Sequence, residues 1–403
     1  MKRFFFLTLI FITACSAPET ATPASFFDGE PAPATPNFDS TPQPQEPALP
    51  PSAETPSSIT GSVAETGELY FFLQPRTGAG KIELAKVSAA CITDPVNCPP
   101  MQKVPVPFEF NFTINALAWS RDGKYAAFSY STNQNGTPTQ LWLLDADAGT
   151  WKSIAEFPYI DPPFWSPDGA WIAFRTQNGH GGEDVYIVRP DGSGLQSISQ
   201  DLPEAGRPYI MDGWYTENVI MRSALPGAEG NIYLVRAANG QARPMFETVL
   251  TKAQFIASPD AGFFAYDDYN YTSQNHLVKV MEPDGAHAQI IAQFNGGSIY
   301  PMLWSPDGHF IAFNYYGNLT SGNPVAEVFI IPRTGGELRS LYKGNTIGRL
   351  LFSPNSKYLL VEETTSATGG HLFLVDITTS NSGMLQAPGL STDYDWYAPS
   401  WRP

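Results

Sequence analysis

The sequence is poor in charge, and above all in positive charge. Charged residues make up 15% of the 403 residues, and 23 Lys and Arg stand against 39 Asp and Glu, which gives a formal net charge of −16. A surface of this sign repels phosphate backbones, so nucleic acid is excluded as an expected partner. Little charge combined with 34 Gly and 37 Pro is typical of a turn-rich all-β protein.

Hydrophobic runs long enough to cross a bilayer are lacking after residue 14. Before it, Lys2 and Arg3 precede an apolar run that ends in Ala14 and Cys15, a pattern typical of an export signal. Residues 12–15, Ile-Thr-Ala-Cys, also resemble a bacterial lipobox, which implies that Cys15 is lipidated and becomes the first residue. An ordinary cleaved secretory signal is the alternative.

This N-terminal pattern predicts the domain organisation. We expect a lipoprotein signal peptide over 1–14, a lipidated, Pro-rich disordered tether over 15–58 and a folded domain over 59–403. The protein would then lie in the cell envelope, lipid-anchored on the outer side of the cytoplasmic membrane or in the outer membrane. Its contact with the membrane would be through the lipid alone.

Cysteine is also scarce, with three residues in the chain. If lipidation uses Cys15, Cys91 and Cys98 remain, and their spacing would allow them to staple a hairpin in an oxidising compartment. Two free thiols are the alternative. No second Cys or His pair accompanies them, so their spacing does not indicate a zinc site.

The residues of common catalytic sites are sparse as well. The chain contains no Gly-x-Ser-x-Gly motif, which a serine nucleophile of the α/β-hydrolase type requires. We also expect the chain to end on the last strand of the folded domain. The five histidines lie in different parts of the chain and are interpreted as surface residues of polar loops. We therefore predict no metal site, no cofactor and no catalytic residue.

What the sequence does contain is a repeat. Residues 164–174 read Phe-Trp-Ser-Pro-Asp-Gly-Ala-Trp-Ile-Ala-Phe, an apolar run, a tight turn and a second alternating run, which predicts a β-hairpin. Similar stretches recur about every 47 residues, with an anchor residue at positions 119, 165, 214, 257, 304, 352 and 401. A period of this length with several short strands is typical of propeller blades.

Seven anchors predict an all-β, seven-bladed β-propeller whose ring is closed by its N- and C-terminal strands. The first strands, from Gly67 onward, have no anchor strand before them, and the last anchor, Trp401, has no strands after it. Pairing the two would complete one blade and leave only short, protected sheet edges.

The Trp-Ser-Pro-Asp-Gly motif followed by Ile-Ala-Phe resembles the TolB-type propeller repeat, a relative of the WD-repeat propellers. The resemblance covers about residues 113–403 and is strongest at the anchors 119, 165 and 304. It implies an extracytoplasmic protein-binding propeller. The same repeat also forms the gating propeller of prolyl-oligopeptidase-type enzymes.

The connectors that lead into the innermost strands should surround the mouth of the central channel. Their exposed Tyr and Trp residues with acidic neighbours suit the binding of a protein, peptide or glycan, although such aromatics could also pack between blades. The candidate binding face comprises Asp161, Tyr300, Asp393, Asp395, Trp396 and Tyr397, with His180 and Tyr271 from neighbouring loops.

These observations predict a non-enzymatic, lipid-anchored binding or scaffold module for a protein, peptide or glycan of the cell envelope. The alternative is a propeller enzyme, a hydrolase or lyase, acting on polysaccharide or peptide at the channel mouth.

Overall fold

The computed structural model describes residues 67–75, 81–93, 97–109, 115–131, 138–177, 183–199, 202, 209–223, 232–245, 254–270, 272–317, 325–365, 369–385 and 394–403. The predicted signal peptide, Cys15 and the predicted tether lie outside these residues. So do three members of the candidate binding face, His180, Tyr271 and Asp393.

Within the described residues the chain forms seven four-stranded antiparallel sheets, and the innermost strands contact one another in a closed cycle. The prediction of a seven-bladed β-propeller is therefore confirmed. From the innermost to the outermost strand, blade 1 contains β28 (Tyr394–Arg402), β1 (Glu68–Pro75), β2 (Glu83–Ser88) and β3 (Gln102–Val104). Blade 2 contains β4 (Ala118–Trp119), β5 (Tyr125–Tyr130), β6 (Thr139–Asp145) and β7 (Thr150–Phe157). Blade 3 contains β8 (Phe164–Trp165), β9 (Ile172–Gln177), β10 (Glu183–Val188) and β11 (Gln196–Ser197), and blade 4 contains β12 (Tyr209–Tyr215), β13 (Asn218–Ser223), β14 (Ile232–Arg236) and β15 (Ala242–Pro244).

Blades 5 to 7 repeat the same order from the innermost to the outermost strand. They contain β16 (Phe255–Ala257), β17 (Phe264–Asn270), β18 (Asn275–Met281) and β19 (Gln289–Asn295); β20 (Ser298–Trp304), β21 (Phe310–Gly317), β22 (Val325–Pro332) and β23 (Arg339–Gly344); and β24 (Ile347–Phe352), β25 (Tyr358–Thr365), β26 (Gly369–Asp376) and β27 (Ser382–Met384). One short helix, α1 (Ala90–Thr93), follows β2, and the described residues include no helix long and apolar enough to cross a membrane.

The ring closes in blade 1, where the last strand of the chain is the innermost strand of the first blade. Strand β28 pairs antiparallel with β1, from Glu68 opposite Arg402 to Pro75 opposite Tyr394. Arg402 also reaches across to blade 2, where its Nε donates to the Gly123 carbonyl at 2.7 Å. The closing strand is thus bonded both within its own blade and to blade 2.

The Ser-x-Asp turns owe their recurrence to their hydrogen bonds. In the turn after β8, the Ser166 hydroxyl donates to Asp168 Oδ1 at 2.6 Å and accepts from the Trp171 amide at 2.9 Å, and Gly169 takes a φ of 71°. Turns at Ser120, Ser258 and Ser305 repeat both serine bonds. These aspartates therefore serve the turn, as expected from the local chemistry of Asx turns.

The anchor tryptophans connect neighbouring blades. The Trp165 indole donates to the Ala118 carbonyl of the preceding blade at 2.7 Å, the Trp214 indole to that of Phe164 at 3.1 Å, and the Trp304 indole to that of Ile256 at 3.2 Å. We call these contacts indole bonds. The apolar core accordingly lies between blades, in clusters that combine residues of adjacent sheets.

The structure joins Cys91 and Cys98 in a disulfide. The bond links the end of strand β2 and helix α1 to the segment that leads into β3. It closes a short loop on the periphery of blade 1, away from the channel strands.

Candidate functional site

The two faces of the propeller differ in the segments that they carry. Successive strands are antiparallel, so the Ser-x-Asp turns and the turns between third and fourth strands share one face, which we call the turn face. The connectors into the innermost strands and the segments between second and third strands share the opposite face, which we call the loop face. The candidate residues predicted from the connectors belong to the loop face.

A ring of polar residues lies below the loop face. In each blade the anchor residue of the innermost strand lies opposite a partner residue on the second strand, as Trp165 lies opposite Ile172 and Trp304 opposite Ile311. The residue of the ring is the third residue after this partner on the second strand. Six blades carry a polar side chain there, and the closing blade carries Phe72. We call this set the polar ring: Ser129, Arg175, Arg222, Asp267, Asn314 and Glu362.

The most solvent-accessible member of the polar ring is Arg175 in blade 3. Its guanidinium forms ion pairs with Asp161, from the connector before β8, and with Glu183 at 2.7 Å. The Tyr159 hydroxyl donates to Asp161 at 2.6 Å, and this bond raises the pKa of Tyr159 to about 12. We call Tyr159, Asp161, Arg175 and Glu183 the Arg175 cluster.

The Arg175 cluster is open to ligands. Tyr159 is 45% exposed, and Phe164, which begins the innermost strand of the same blade, is 41% exposed. Together with Phe164, the cluster therefore offers a guanidinium, two carboxylates and two aromatic rings at the mouth of the channel. Ligands with charged ends and apolar parts match this combination, because charge-assisted hydrogen bonds and aromatic contacts can act together.

Arg222 in blade 4 is partly buried, and the side chain of its partner Asp212 is buried more deeply. Its Nε and Nη2 donate to both oxygens of Asp212 at 2.9 and 3.0 Å, a bidentate pair in which the carboxylate side chain is only 5% exposed. Burial raises the pKa of Asp212, while Arg222 opposes that shift. Because this carboxylate is buried and fully paired, the Arg222–Asp212 pair is a structural support of the site.

Asp267 in blade 5 pairs with His276 on the neighbouring strand. His276 Nδ1 lies 2.8 Å from Asp267 Oδ2, and its Nε2 lies 3.2 Å from the Gly297 carbonyl of the next connector. Both ring nitrogens thus face acceptors in a buried setting, and burial raises the pKa of Asp267. The interpretation of His276 as a surface histidine is wrong, because its ring is enclosed between blades 5 and 6.

Glu362 in blade 7 links the polar ring to the closing strand. Its carboxylate accepts a hydrogen bond from the Ala398 amide at 3.1 Å, and its other oxygen lies 3.6 Å from Arg349 Nε. Burial raises the pKa of Glu362. In blade 6, the Asn314 amide donates to the Tyr300 carbonyl at 3.2 Å.

The residues predicted from the connectors are placed in different settings. Asp161 enters the Arg175 cluster, and Tyr300 is 64% exposed on the loop face. Trp396 stacks on Phe71 with ring centroids 4.8 Å apart, and Tyr397 packs against the cluster between blades 1 and 2. Asp395 lies on β28 and pairs with Gln74. The structure therefore brings Asp161 together with charged residues and uses two of the aromatics for packing.

Sequence reasoning missed Arg175, Arg222, Asp267 and Glu362. The signal was present, because superposing the repeats on their anchors puts all four at one position directly after the Ile-Ala-Phe run. In the part of the chain that the structure describes, no three His, Cys, Asp or Glu side chains converge to hold a metal ion.

Comparisons with known proteins support the fold and correct the predicted function. No protein-family profile matches the chain. The Bacillus subtilis protein named as the uncharacterized peptidase YuxL is 24% identical over 169 residues, which cover 40% of this chain and 23% of YuxL. The chain therefore matches less than a quarter of the length of this relative.

Among solved structures, a prolyl endopeptidase superposes with a TM-score of 0.60 at 15% identity, over 84% of this chain and 50% of that one. TolB from Acinetobacter baumannii superposes with a TM-score of 0.50 at 16% identity, over 84% and 67%. The fold is thus that of a TolB-like seven-bladed propeller.

The prediction of a non-enzymatic binding module is wrong on these comparisons. The relative found by sequence is named as a peptidase, and the structural neighbours include a prolyl endopeptidase and an acylaminoacyl peptidase. The alternative prediction, a propeller enzyme, fits them better.

Proposed function

We propose that this protein is a propeller enzyme that acts on peptides, with the loop face as its substrate-binding side. The observation that carries the proposal is the Arg175 cluster, where Arg175 can pair with a peptide carboxylate and Asp161 and Glu183 with an amino group. Tyr159 and Phe164 add exposed rings for apolar side chains. The peptidase name of the sequence relative supports peptides over polysaccharides as the substrate class.

The polar ring supports this role by fixing the site. Ion pairs and hydrogen bonds hold Arg222, Asp267 and Glu362 beneath the loop face, so the innermost strands and connectors are braced at the same level in several blades. A braced ring lets the Arg175 cluster keep its geometry when substrate binds, which lowers the entropy lost on binding.

Substitution of Asp161 tests the proposal. In Asp161→Asn the neutral side chain keeps one acceptor oxygen but loses the negative charge that attracts Arg175 and a substrate amine, so we expect kcat/KM for a fluorogenic peptide panel to fall by roughly tenfold or more. Asp191→Asn on the turn face is the matched control, because Asp191 is exposed and accepts only a local bond from Ser193. We expect the control to keep the activity of the unsubstituted protein.

Three results would contradict the proposal. The protein could turn over no peptide in the panel, it could turn over oligosaccharides instead, or the two variants could lose activity equally. The last outcome would place the substrate away from the Arg175 cluster.

We also propose that Cys15 carries a lipid and that residues 15–58 tether the propeller to the membrane. The lipobox-like residues 12–15 support this location. Palmitate labelling in a bacterial host followed by detergent phase separation should place the labelled protein in the detergent phase and Cys15→Ser, unlabelled, in the aqueous phase. Cys98→Ser, the same change elsewhere, should keep the label. A labelled Cys15→Ser protein would refute lipidation at this residue.

A further inference from the structure

The outermost strands of the blades fall into two groups. Those of blades 1, 3, 4 and 7 are two or three residues long, whereas β7, β19 and β23 have six to eight residues. Each outermost strand is hydrogen-bonded on one side only in the described part of the chain. Long free edges are templates for strand pairing with another chain, and proteins protect them with charge, bulges or short length.

The three long outer strands share one construction, which makes their positions comparable. Each carries a one-residue bulge, and the bulged residue points into the core. The bulged residues are Ile154, Ile291 and Leu341. Every other position in these strands can therefore be matched by its distance from the bulge.

Strand β19 differs from its two counterparts at the positions that flank the bulge. Two residues before the bulge, β7 has Lys152 and β23 has Arg339, but β19 has Gln289. Two residues after it, β7 has Glu156 and β23 has Lys343, but β19 has Gln293.

The position just before the bulge shows the same trend. It is serine in β7 and in β23, at 153 and 340, but in β19 it is Ile290, which is 52% exposed. At these three positions β19 thus carries two uncharged amides and an exposed apolar side chain, where its counterparts carry charged residues and serine. Protection by charge is missing on this edge alone among the long outer strands.

We propose that the β19 edge is the interface through which two copies of this chain associate, with the two β19 strands paired antiparallel about a two-fold axis. In such a pairing the exposed Ile290 of each copy enters the shared seam, so the apolar contact occurs twice.

A second copy fits the charge of the molecule. With a net charge of −16, two copies repel each other wherever acidic residues meet, yet no Asp, Glu, Lys or Arg occurs between Asp284 and Asp307. Self-pairing here therefore brings no like charges opposite each other. In β23, by contrast, self-pairing would bring Arg339 and Lys343 of both copies, four positive charges, to one shared edge.

Sedimentation velocity of the full chain over a range of concentrations tests the inference, with Cys15→Ser present so that acyl chains cannot drive association. We expect reversible dimers, and we expect Ile290→Lys and Gln293→Lys each to weaken dimerisation by about tenfold or more, because a lysine on the edge must be desolvated or repelled. Gln293→Lys introduces the residue that β23 carries at the matched position, Lys343, so we expect the fold to tolerate it.

Leu195→Lys is the matched control, because Leu195 is 43% exposed on the outer side of blade 3 beside a strand of two residues. It should dimerise like the unsubstituted chain. Monomers at every concentration, dimers that persist in both edge variants, or equal dissociation of the Leu195→Lys control would each overturn the inference. Capture of a different protein by a monomeric chain through this edge would also overturn it.

Discussion

Deletion of residues 394–403 is expected to abolish cooperative folding of the propeller. The deleted strand β28 supplies the whole inner edge of blade 1 and pairs with β1 along its length. It also buries Trp401 and carries Arg402, which bonds to Glu68 at 2.9 Å and to Asp147 of blade 2 at 2.6 Å. Without it, blades 7 and 1 lose their shared core and β1 becomes an unprotected edge.

Near-UV circular dichroism and urea denaturation measure this effect. The deletion variant should lack both a near-UV signal and a sharp transition. Trp401→Ala, a milder change, should lower the free energy of unfolding by about 3–5 kcal/mol, since it empties a buried aromatic site. Met384→Ala, on a side chain that is 44% exposed, should change it by less than about 0.5 kcal/mol. A deletion variant with the transition midpoint of the complete chain would refute closure by β28.

Replacement of Arg222 by methionine is expected to lower the free energy of unfolding by about 3–5 kcal/mol at neutral pH, because it leaves the buried Asp212 carboxylate without its cation. The loss should shrink as the pH falls. Burial raises the pKa of Asp212 even when Arg222 is present, so its folded pKa in the variant lies further above the unfolded value. A raised acid pKa adds stability below the unfolded pKa and removes it as the pH rises through the folded pKa.

Urea denaturation of the Arg222→Met variant at several pH values between 4 and 8 checks both the size and the sign. The double variant Arg222→Met with Asp212→Leu should recover much of the stability, because no charge then remains buried. Arg236→Met is the matched control: its side chain is 53% exposed and lies 3.9 Å from an exposed Glu217, so we expect a change below about 1 kcal/mol. A deficit in Arg222→Met that grows on acidification would contradict the assignment.

The seven-bladed propeller was predictable from the sequence because the features that determine it are local and repeated. The Ser-x-Asp turn needs three neighbouring residues, and each copy makes the same bonds, as at Ser166 and Asp168. The pairing of the first and last strands was predictable because the first strands have no anchor strand before them and the last anchor, Trp401, has no strands after it. Pairing the two completes one blade. Neither step required knowledge of distant contacts.

The site was less predictable because it depends on which residues meet across the chain. The position of Asp161 in a connector predicts that it belongs to the loop face, but its partner Arg175 lies in a strand. A charged residue in a strand fits the usual alternation of polar and apolar positions, so it does not indicate a site. Trp396 was expected to face a ligand, yet it stacks on Phe71, 325 positions earlier in the sequence. His276 was assigned to a loop because its neighbours in sequence are polar, although Asp267 and Gly297 enclose its ring.

The indole bonds divide the ring unevenly. Blade 5 has Ala257 where blades 3, 4 and 6 have tryptophan, so no indole bond crosses from blade 5 to blade 4. That boundary is packed by rings instead, with Tyr215 and Phe264 4.9 Å apart. Apolar attraction weakens on cooling. Blade 7 has Phe352 at its anchor, and the Trp401 indole of blade 1 has no hydrogen-bond partner among the described residues, but other bonds cross there, from Arg339 to the Ile377 carbonyl and from the Ala398 amide to Glu362. In the cold, the ring should therefore loosen first between blades 4 and 5, where amide hydrogens would exchange soonest with deuterated solvent.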